Sequence, residues 1–151
     1  MSFATFMSNL VNCSRQEFNR SANTSASAIT FTFLREVLAL QRPEGGWSDL
    51  PTTESNAYET GRALVALHTA GLPVTDPAYQ RGVQFLLNTQ SDDGSWHVKT
   101  RALALQPYFE NGFPHGVDQF ISAAGTGWAT MALSLASQAP AAGSISIAGL
   151  H

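Results

Sequence analysis

Two short segments of this chain share one pattern, and that internal repeat constrains the fold more than any other feature. The segments begin at Gln41 and Gln90, 49 residues apart, and both read Gln-x-x-acid-Gly-x-Trp. We call residues 41–47 and 90–96 the first and second Gln/Trp loops. Each loop follows an apolar run and precedes the sequence Thr-Gly-x-Ala-x-x-Ala-Leu, at residues 60–67 and 126–133. Because repeats of this length bury their apolar faces against neighbouring repeats, the sequence predicts stacked units of helix, Gln/Trp loop and helix.

Apolar spacing and helix-end signals predict four helices in the repeat region. They run from Ile29 to before Pro43, from an N-cap at Ser55 or Asn56 to about Ala70, from Pro77 to Thr89, and from about Ser122 to Ser137. The second of these helices is apolar on nearly all sides, which predicts a place in an inner layer. The side chains predicted to face inward from the last two helices are Tyr79, Val83, Leu86, Leu87, Trp128, Met131, Ala132 and Leu135.

The predicted organisation is an all-α repeat domain with a segment on either side. Residues 1–28 are predicted to form an N-terminal extension and a small, polar linker, with a short helix between Met1 and Asn19. Residues 29–138 are predicted to form the repeat domain. Residues 139–151, rich in Ala, Gly and Ser, are predicted to form a flexible tail.

Composition excludes several classes of function. The chain has 8 Lys and Arg against 11 Asp and Glu, and it lacks any basic run, so we expect no nucleic-acid binding. The single cysteine, Cys13, excludes an internal disulfide and a Cys-x-x-Cys motif. No segment reaches the ~18 to 20 apolar residues of a membrane span, so no transmembrane segment is expected. Charged residues make up only 13% of the chain, which is typical of a surface covered by sister repeats.

The chain departs from its own repeat between residues 97 and 120. The distance from Trp to Thr-Gly grows from 13 residues in the first copy to 30 in the second, an insertion of 17 residues. Aromatic side chains with a few polar groups favour a small-molecule site here. The predicted binding residues are Tyr108, Phe109, Phe113, His115 and Asp118 of the insertion, together with Trp128.

His115 and Asp118, three residues apart, could act as a base and its orienting carboxylate. The alternative is an ordered loop that packs Phe113 and Phe120 over the helix ends and satisfies His115 by hydrogen bonding. No catalytic residue is identified with either interpretation, and a metal site built from the histidines is not expected.

The two Gln/Trp loops resemble the QW repeats of the terpenoid cyclase and protein prenyltransferase superfamily, of the squalene-hopene-cyclase type. The resemblance covers roughly Ile29 to Ser137 and implies an α/α toroid, here a partial one of about two repeats. It implies that the glutamines cap helix ends, that the tryptophans pack against them, and that the acids are caps. The structural residues so assigned are Gln41, Trp47, Gln90, Asp93 and Trp96. Glu59 and Arg62, spaced as a helical ion pair, would lie near the cavity rim of a toroid.

The catalytic signatures of that superfamily are absent from this sequence. It contains no Asp-x-Asp-Asp run and no Asp-Asp-x-x-Asp motif, and its one cysteine lies outside the repeats, where it cannot complete a prenyltransferase zinc site. The resemblance therefore implies a cyclase-like domain of a larger, bacterial-type protein that binds an apolar small molecule and is not catalytic alone. No cofactor and no metal are expected.

Two other functions remain open at this stage. One is a structural or protein-interaction module that binds a second copy or missing sister repeats. The other is a polysaccharide lyase-like toroid, because Gln41 to Trp47 also resembles a loop in some pectate lyases. Calcium ligands and a catalytic arginine, which would support a lyase, cannot be identified in the sequence.

Overall fold

The computed structural model describes residues 25–101 and 108–138, with side chains from Thr30 onward. Its helices are α1 (Ser25–Ala39), α2 (Ala57–Thr69), α3 (Pro77–Thr89) and α4 (Gln119–Ser137), and a single 3₁₀ turn (Gly116–Asp118) precedes α4. These two ranges contain no strand, and the predicted all-α class is confirmed. The predicted N-terminal helix and C-terminal tail lie outside the described residues.

Local signals set the boundaries of α2 and α3. The side chain of Asn56 accepts a hydrogen bond from the backbone N–H of Glu59, which caps α2 as predicted. The side chain of Asp76 accepts from the N–H groups of Ala78 and Tyr79 and caps α3 in the same way. At its C-terminal end, α2 stops in a Schellman motif around Gly71, whose φ of 88° suits glycine. Both helices begin and end within a residue or two of the predicted positions.

Other boundaries and faces differ from the predictions. Helix α1 begins at Ser25, four residues before Ile29, and α4 begins at Gln119, three residues before Ser122. Leu87 and Met131, predicted to face inward, are 51% and 49% exposed. Apolar spacing indicates which residues share a helix face, but within the described residues no other element covers these two side chains.

Helices α2 and α4 form the centre of the fold and make the most extensive contact between elements. They approach closely at Gly61, where a Cβ atom would lie 2.6 Å from the backbone carbonyl carbon of Trp128. Leu64 and Leu67 of α2 and Ala132 of α4 are fully buried at this centre. The predicted inner position of α2 agrees with this packing.

Each Gln/Trp loop is closed by its own glutamine side chain. Gln41 Nε2 donates to the carbonyl of Gly45 at 2.9 Å, and Gln90 Nε2 donates to the carbonyl of Gly94 at 2.9 Å. Both glycines have positive φ, 93° and 82°, which few other residues adopt. Gln41 Nε2 also donates to the carbonyl of Ala78 in α3, at 2.8 Å. The amides therefore close the loops rather than cap the preceding helices as expected.

The tryptophan side chains supply the helix-end contacts instead. Trp47 Nε1 donates to the carbonyl of Val37 in the last turn of α1, at 2.8 Å. Trp96 Nε1 donates to the carbonyl of Leu86 in the last turn of α3, also at 2.8 Å. Both indoles are buried, with 0% and 2% exposure. Because the last carbonyls of a helix lack a full set of intrahelical partners, each indole both packs in the core and satisfies one of them.

The threonine of each Thr-Gly signature contacts the loop of its own repeat. The backbone N–H of Trp47 donates to Thr60 Oγ1 at 3.0 Å, and that of Trp96 donates to Thr126 Oγ1 at 3.1 Å. The two copies are therefore equivalent in their hydrogen bonds as well as in their sequence. The 17-residue insertion leaves this contact intact in the second copy.

Candidate functional site

The second Gln/Trp loop carries a side chain where the first has none. Gly46 occupies this position in the first loop, where a Cβ atom would lie 2.6 Å from Ser55 Cβ and 3.0 Å from the ring of Phe85. No larger residue fits there without displacing its neighbours. The second loop has Ser95 at the same position, with 5% exposure. Its hydroxyl group connects the loop to the insertion.

Ser95 Oγ lies 2.6 Å from Asp93 Oδ1 and 2.7 Å from His115 Nε2. Hydrogen bonds from the Ser95 hydroxyl and backbone N–H hold the pKa of Asp93 below its usual value, so its carboxylate is ionised and only accepts. The single serine proton therefore points to Asp93, and His115 Nε2 must carry a proton and donate to Ser95. A histidine that donates to the serine does not act as its base, so this arrangement is not a serine nucleophile pair.

A second histidine lies beside the first. His97 Nε2 is 2.8 Å from Asp118 Oδ2, and the backbone N–H of Thr100 donates to Asp118 Oδ1 at 2.8 Å. The rings of His97 and His115 are stacked, with centroids 4.7 Å apart and planes 12° apart. We call Asp93, Ser95, His97, His115 and Asp118 the histidine network. It joins the second Gln/Trp loop to the insertion and the start of α4.

The predicted pairing of His115 with Asp118 is not the one that forms. Asp118 contacts His97, and His115 contacts Ser95. His115 has a left-handed backbone, with φ of 81°, just before the 3₁₀ turn, so the two side chains do not lie on a common helical face. The hydrogen bond from Thr100, followed by that from His97, holds the pKa of Asp118 below its usual value. Asp118 thus orients a histidine, but a different one from the histidine predicted.

A cleft of about 440 Å³ lies next to this network, beside the N-terminal ends of α2 and α4. One wall is the segment from Val98 to Arg101, which follows the second Gln/Trp loop. Ser122 fixes Val98 through a hydrogen bond from the Val98 N–H at 3.0 Å, and Asp118 fixes Thr100. The lining side chains are Asp49, Asn56, Tyr58, Glu59, Val98, Lys99, Thr100, Arg101, Phe120 and Ile121.

Glu59 is the most buried ionisable side chain of this cleft. It is 5% exposed, and burial raises the pKa of its carboxyl group above the usual value. Arg62 Nη1 lies 3.4 Å from Glu59 Oε2, so the predicted helical ion pair is formed. The guanidinium of Arg62 also lies 5.2 Å from the centre of the Tyr58 ring, within cation–π range. At the outer edge, Asp49 forms a salt bridge with Arg101.

None of the six predicted binding residues lines the cleft. Tyr108 and Phe109 are 57% and 70% exposed, and Phe113 and Trp128 are half-buried. Gln119, which was not singled out from the sequence, holds the backbone of the insertion at Phe109 and Asn111. It is fully buried, its Nε2 donates to the carbonyl of Phe109 at 2.6 Å, and its Oε1 accepts from the N–H of Asn111 at 2.8 Å.

Sequence reasoning also left out Ser95 and His97 as partners in the site. The difference between Gly46 and Ser95 is visible when the two loops are aligned. It marks the position at which the second loop contacts the insertion through a side chain and the first loop has no side chain. His97 had no comparable signal, because its partner Asp118 lies 21 residues further along the chain.

Residues 25–101 and 108–138 contain neither a cluster of potential metal ligands nor a helix able to cross a membrane. No group of three or more His, Cys, Asp and Glu side chains there is arranged to hold a metal ion. No helix in these ranges combines the length and apolarity that crossing a membrane requires.

The paired helices, the two equivalent Gln/Trp loops and the inner α2–α4 contact define a terpenoid-cyclase-like helical repeat domain. Residues 8–146 match the squalene-hopene cyclase C-terminal domain family. Because this match covers most of the chain, the chain belongs to that family.

Individual relatives agree with this assignment. The chain is 38% identical over 82 residues to a squalene–hopene cyclase of Bradyrhizobium diazoefficiens, which covers 50% of the chain and 11% of that protein. It is 43% identical over 58 residues to a copalyl diphosphate synthase of Streptomyces anulatus, covering 38% of the chain and 10% of the relative. The chain is 35% identical over 100 residues to a copalyl diphosphate synthase of Streptomyces cyslabdanicus, which covers 66% of the chain and 18% of that protein. The chain therefore spans less than a fifth of the length of each relative.

Proposed function

We propose that this terpenoid-cyclase-like domain binds an apolar small molecule and catalyses no reaction on its own. The observation that carries the proposal is the cleft of about 440 Å³ beside α2 and α4. Its volume falls within the range of small-molecule sites, and it combines apolar side chains with a few fixed polar groups. The apolar lining residues are Tyr58, Val98, Phe120 and Ile121.

Two observations support the absence of catalysis by the chain alone. The sequence lacks the acid motifs of terpenoid cyclases, and Ser95 in the histidine network is a donor to an ionised carboxylate rather than an activated nucleophile. The relatives, which are named for cyclisation and diphosphate synthesis, are also five to ten times longer than the aligned segment. Incubation with squalene or geranylgeranyl diphosphate is expected to leave both compounds unchanged, as measured by gas chromatography for squalene and by liquid chromatography for the diphosphate.

Binding can be measured with N-phenyl-1-naphthylamine, a neutral apolar dye that fluoresces when it leaves water. The chain is expected to bind the dye, and Phe120→Asp is expected to weaken binding at least tenfold, because a carboxylate in the cleft must lose water when the dye enters. Leu87→Asp is the matched control. Leu87 is 51% exposed and Phe120 is 57% exposed, but only Phe120 lines the cleft. Equal loss in both variants would refute the cleft as the binding site.

The insertion residues predicted from the sequence do not line the cleft, but we keep them in this proposal as a surface near its Phe120 end. Tyr108 and Phe109 present exposed rings, and buried Gln119 ties Phe109 to the start of α4, next to Phe120. Phe109→Ala is expected to weaken dye binding by a smaller factor than Phe120→Asp. Unchanged binding in Phe109→Ala would remove the insertion from the site and leave the cleft in place.

A second candidate is a helical module that packs against sister repeats or another copy of the chain. The observation that favours it is the set of exposed apolar side chains on or next to three helices: Phe31 of α1 and Leu40 just after it, Leu87 of α3 and Met131 of α4. Exposed apolar surface of this kind is typical of contact sites. Light scattering is expected to show a dimer or larger species if this candidate is correct, and a monomer if it is not.

A further inference from the structure

The cleft described above has a polar end as well as an apolar one. Glu59 forms that end: its side chain is nearly buried, yet it borders the cleft. Its carboxylate contacts Arg62 through one oxygen at 3.4 Å, which is longer than a close charged hydrogen bond of about 2.8 Å. A carboxylate can accept about four hydrogen bonds. Glu59 therefore has acceptor capacity beyond its contact with Arg62, at the border of the cleft.

The charges around the cleft disfavour a charged ligand. Its lining includes two carboxylates, Asp49 and Glu59, and two cations, Lys99 and Arg101, so the formal charges cancel. Asp49 and Arg101 neutralise one another in a salt bridge, which leaves Glu59 and Lys99 as one carboxylate and one cation in the lining. A diphosphate would meet the Glu59 carboxylate without a free pair of cations. An ammonium group would meet the cationic side chains, including Arg62 behind Glu59.

The remaining class of ligand is a neutral molecule with one hydrogen-bond donor. We propose that the cleft selects an apolar molecule bearing a single hydroxyl group, which donates a hydrogen bond to Glu59. The hydrocarbon part packs on Tyr58 and Val98 and, at the open end, on Phe120. This inference rests on the proposed function, because it names the class of ligand for the same cleft.

The geometry of the wall supports a selective site rather than an open surface. Val98 is 4% exposed and is held by Ser122 at 3.0 Å, so the apolar wall cannot shift away from Glu59 without breaking a buried hydrogen bond. The Arg62 guanidinium lies against both Glu59 and the Tyr58 ring, which fixes the polar end relative to the apolar end. A ligand must therefore match both ends at once.

Four related compounds test the inference by displacement of N-phenyl-1-naphthylamine from the intact chain. They are farnesene, farnesol, farnesyl methyl ether and farnesyl diphosphate. Farnesol is expected to bind about tenfold more tightly than farnesene or the methyl ether, because one hydrogen bond to a charged group contributes about a factor of ten. Farnesyl diphosphate is expected to bind no more tightly than farnesol. The methyl ether keeps the oxygen and loses the donor, so this comparison needs no variant protein.

Substitution of the Glu59 carboxylate provides a second test of the proposed ligand class. Glu59→Gln keeps the shape of the side chain and replaces a charged acceptor by a neutral one, so the preference for farnesol over farnesene should fall to about threefold. Glu54→Gln, at an exposed position in the preceding loop, is the matched control and should keep the full preference.

The failures of the two proposals are distinguishable. If the dye itself does not bind, the proposed function is wrong and this inference is wrong with it. If the dye binds but none of the four compounds displaces it, only the choice of ligand class is wrong. If all four displace the dye equally, if the methyl ether binds as well as farnesol, or if the diphosphate binds best, only the choice of ligand class is wrong. Retention of the full preference in Glu59→Gln would likewise refute the role of the carboxylate.

Discussion

Replacement of Trp96 by Ala should reveal how much of the fold depends on the second Gln/Trp loop. Trp96 is 2% exposed, and a buried indole removes roughly 200 Å² from water, equivalent to about 5 kcal/mol at ~25 cal/mol/Å². Measured costs of truncating large buried aromatics are ~3 to 5 kcal/mol. The substitution also removes the donor to the carbonyl of Leu86. We therefore expect Trp96→Ala to remove a third or more of the stability of a small domain.

Trp96→Phe separates the packing of the ring from its hydrogen bond. Phenylalanine keeps most of the buried area but cannot donate to Leu86, so its cost is expected to be about 1 to 3 kcal/mol. Trp47 provides a matched internal control, because it is equally buried and donates to Val37 at the same distance of 2.8 Å. Trp47→Phe and Trp96→Phe are expected to cost similar amounts.

Urea unfolding followed by far-ultraviolet circular dichroism measures these differences. The order expected in the free energy of unfolding is wild type, then the two phenylalanine variants, then Trp96→Ala. A cost below about 1 kcal/mol for Trp96→Ala, as for an ordinary surface substitution, would refute the structural role of the loop. A tolerated Trp96→Ala that lost dye binding would instead make the Gln/Trp loop the functional site.

Three further substitutions test other parts of the structure. Ser95→Gly makes the second loop match the first and is expected to increase hydrogen exchange of the insertion near His115, with little change in the global melting temperature; unchanged exchange would mean that the serine does not hold the insertion. The lowered pKa of Asp118 means that its contribution to stability is present above the ordinary Asp value of ~3.9 and is lost as the pH falls through the lower folded-state value. The stability difference between wild type and Asp118→Asn should therefore be constant near neutral pH and shrink in acid, and a difference that grows in acid would contradict the assigned sign. Tyr79→Phe removes a buried hydroxyl that has no hydrogen-bond partner within the described residues, so stability in urea unfolding should be kept or raised by up to ~1 kcal/mol; a clear loss would show that the hydroxyl is bound.

The amino-acid sequence by itself determined the repeat, the presence of four helices in the described part of the chain and the ends of α2 and α3. Asn56 and the pair Asp76-Pro77 act on backbone groups within three residues, so their capping roles can be predicted without any tertiary information. The two Gln/Trp loops were equally predictable as a repeat from their shared sequence pattern, but their closure by Gln41 and Gln90, across only four residues, was not predicted. That local closure is also why both copies adopt the same hydrogen bonds.

Only the tertiary structure decided which side chains meet across long stretches of chain. His97 pairs with Asp118 across 21 residues, and the cleft brings Glu59 near Val98 and Phe120 from separate segments. Periodicity placed Leu87 on an apolar face, but it could not show that this face lies uncovered within the described residues. The physical reason is that helix spacing and capping depend on neighbours in sequence, whereas the partner of a side chain depends on how whole helices pack.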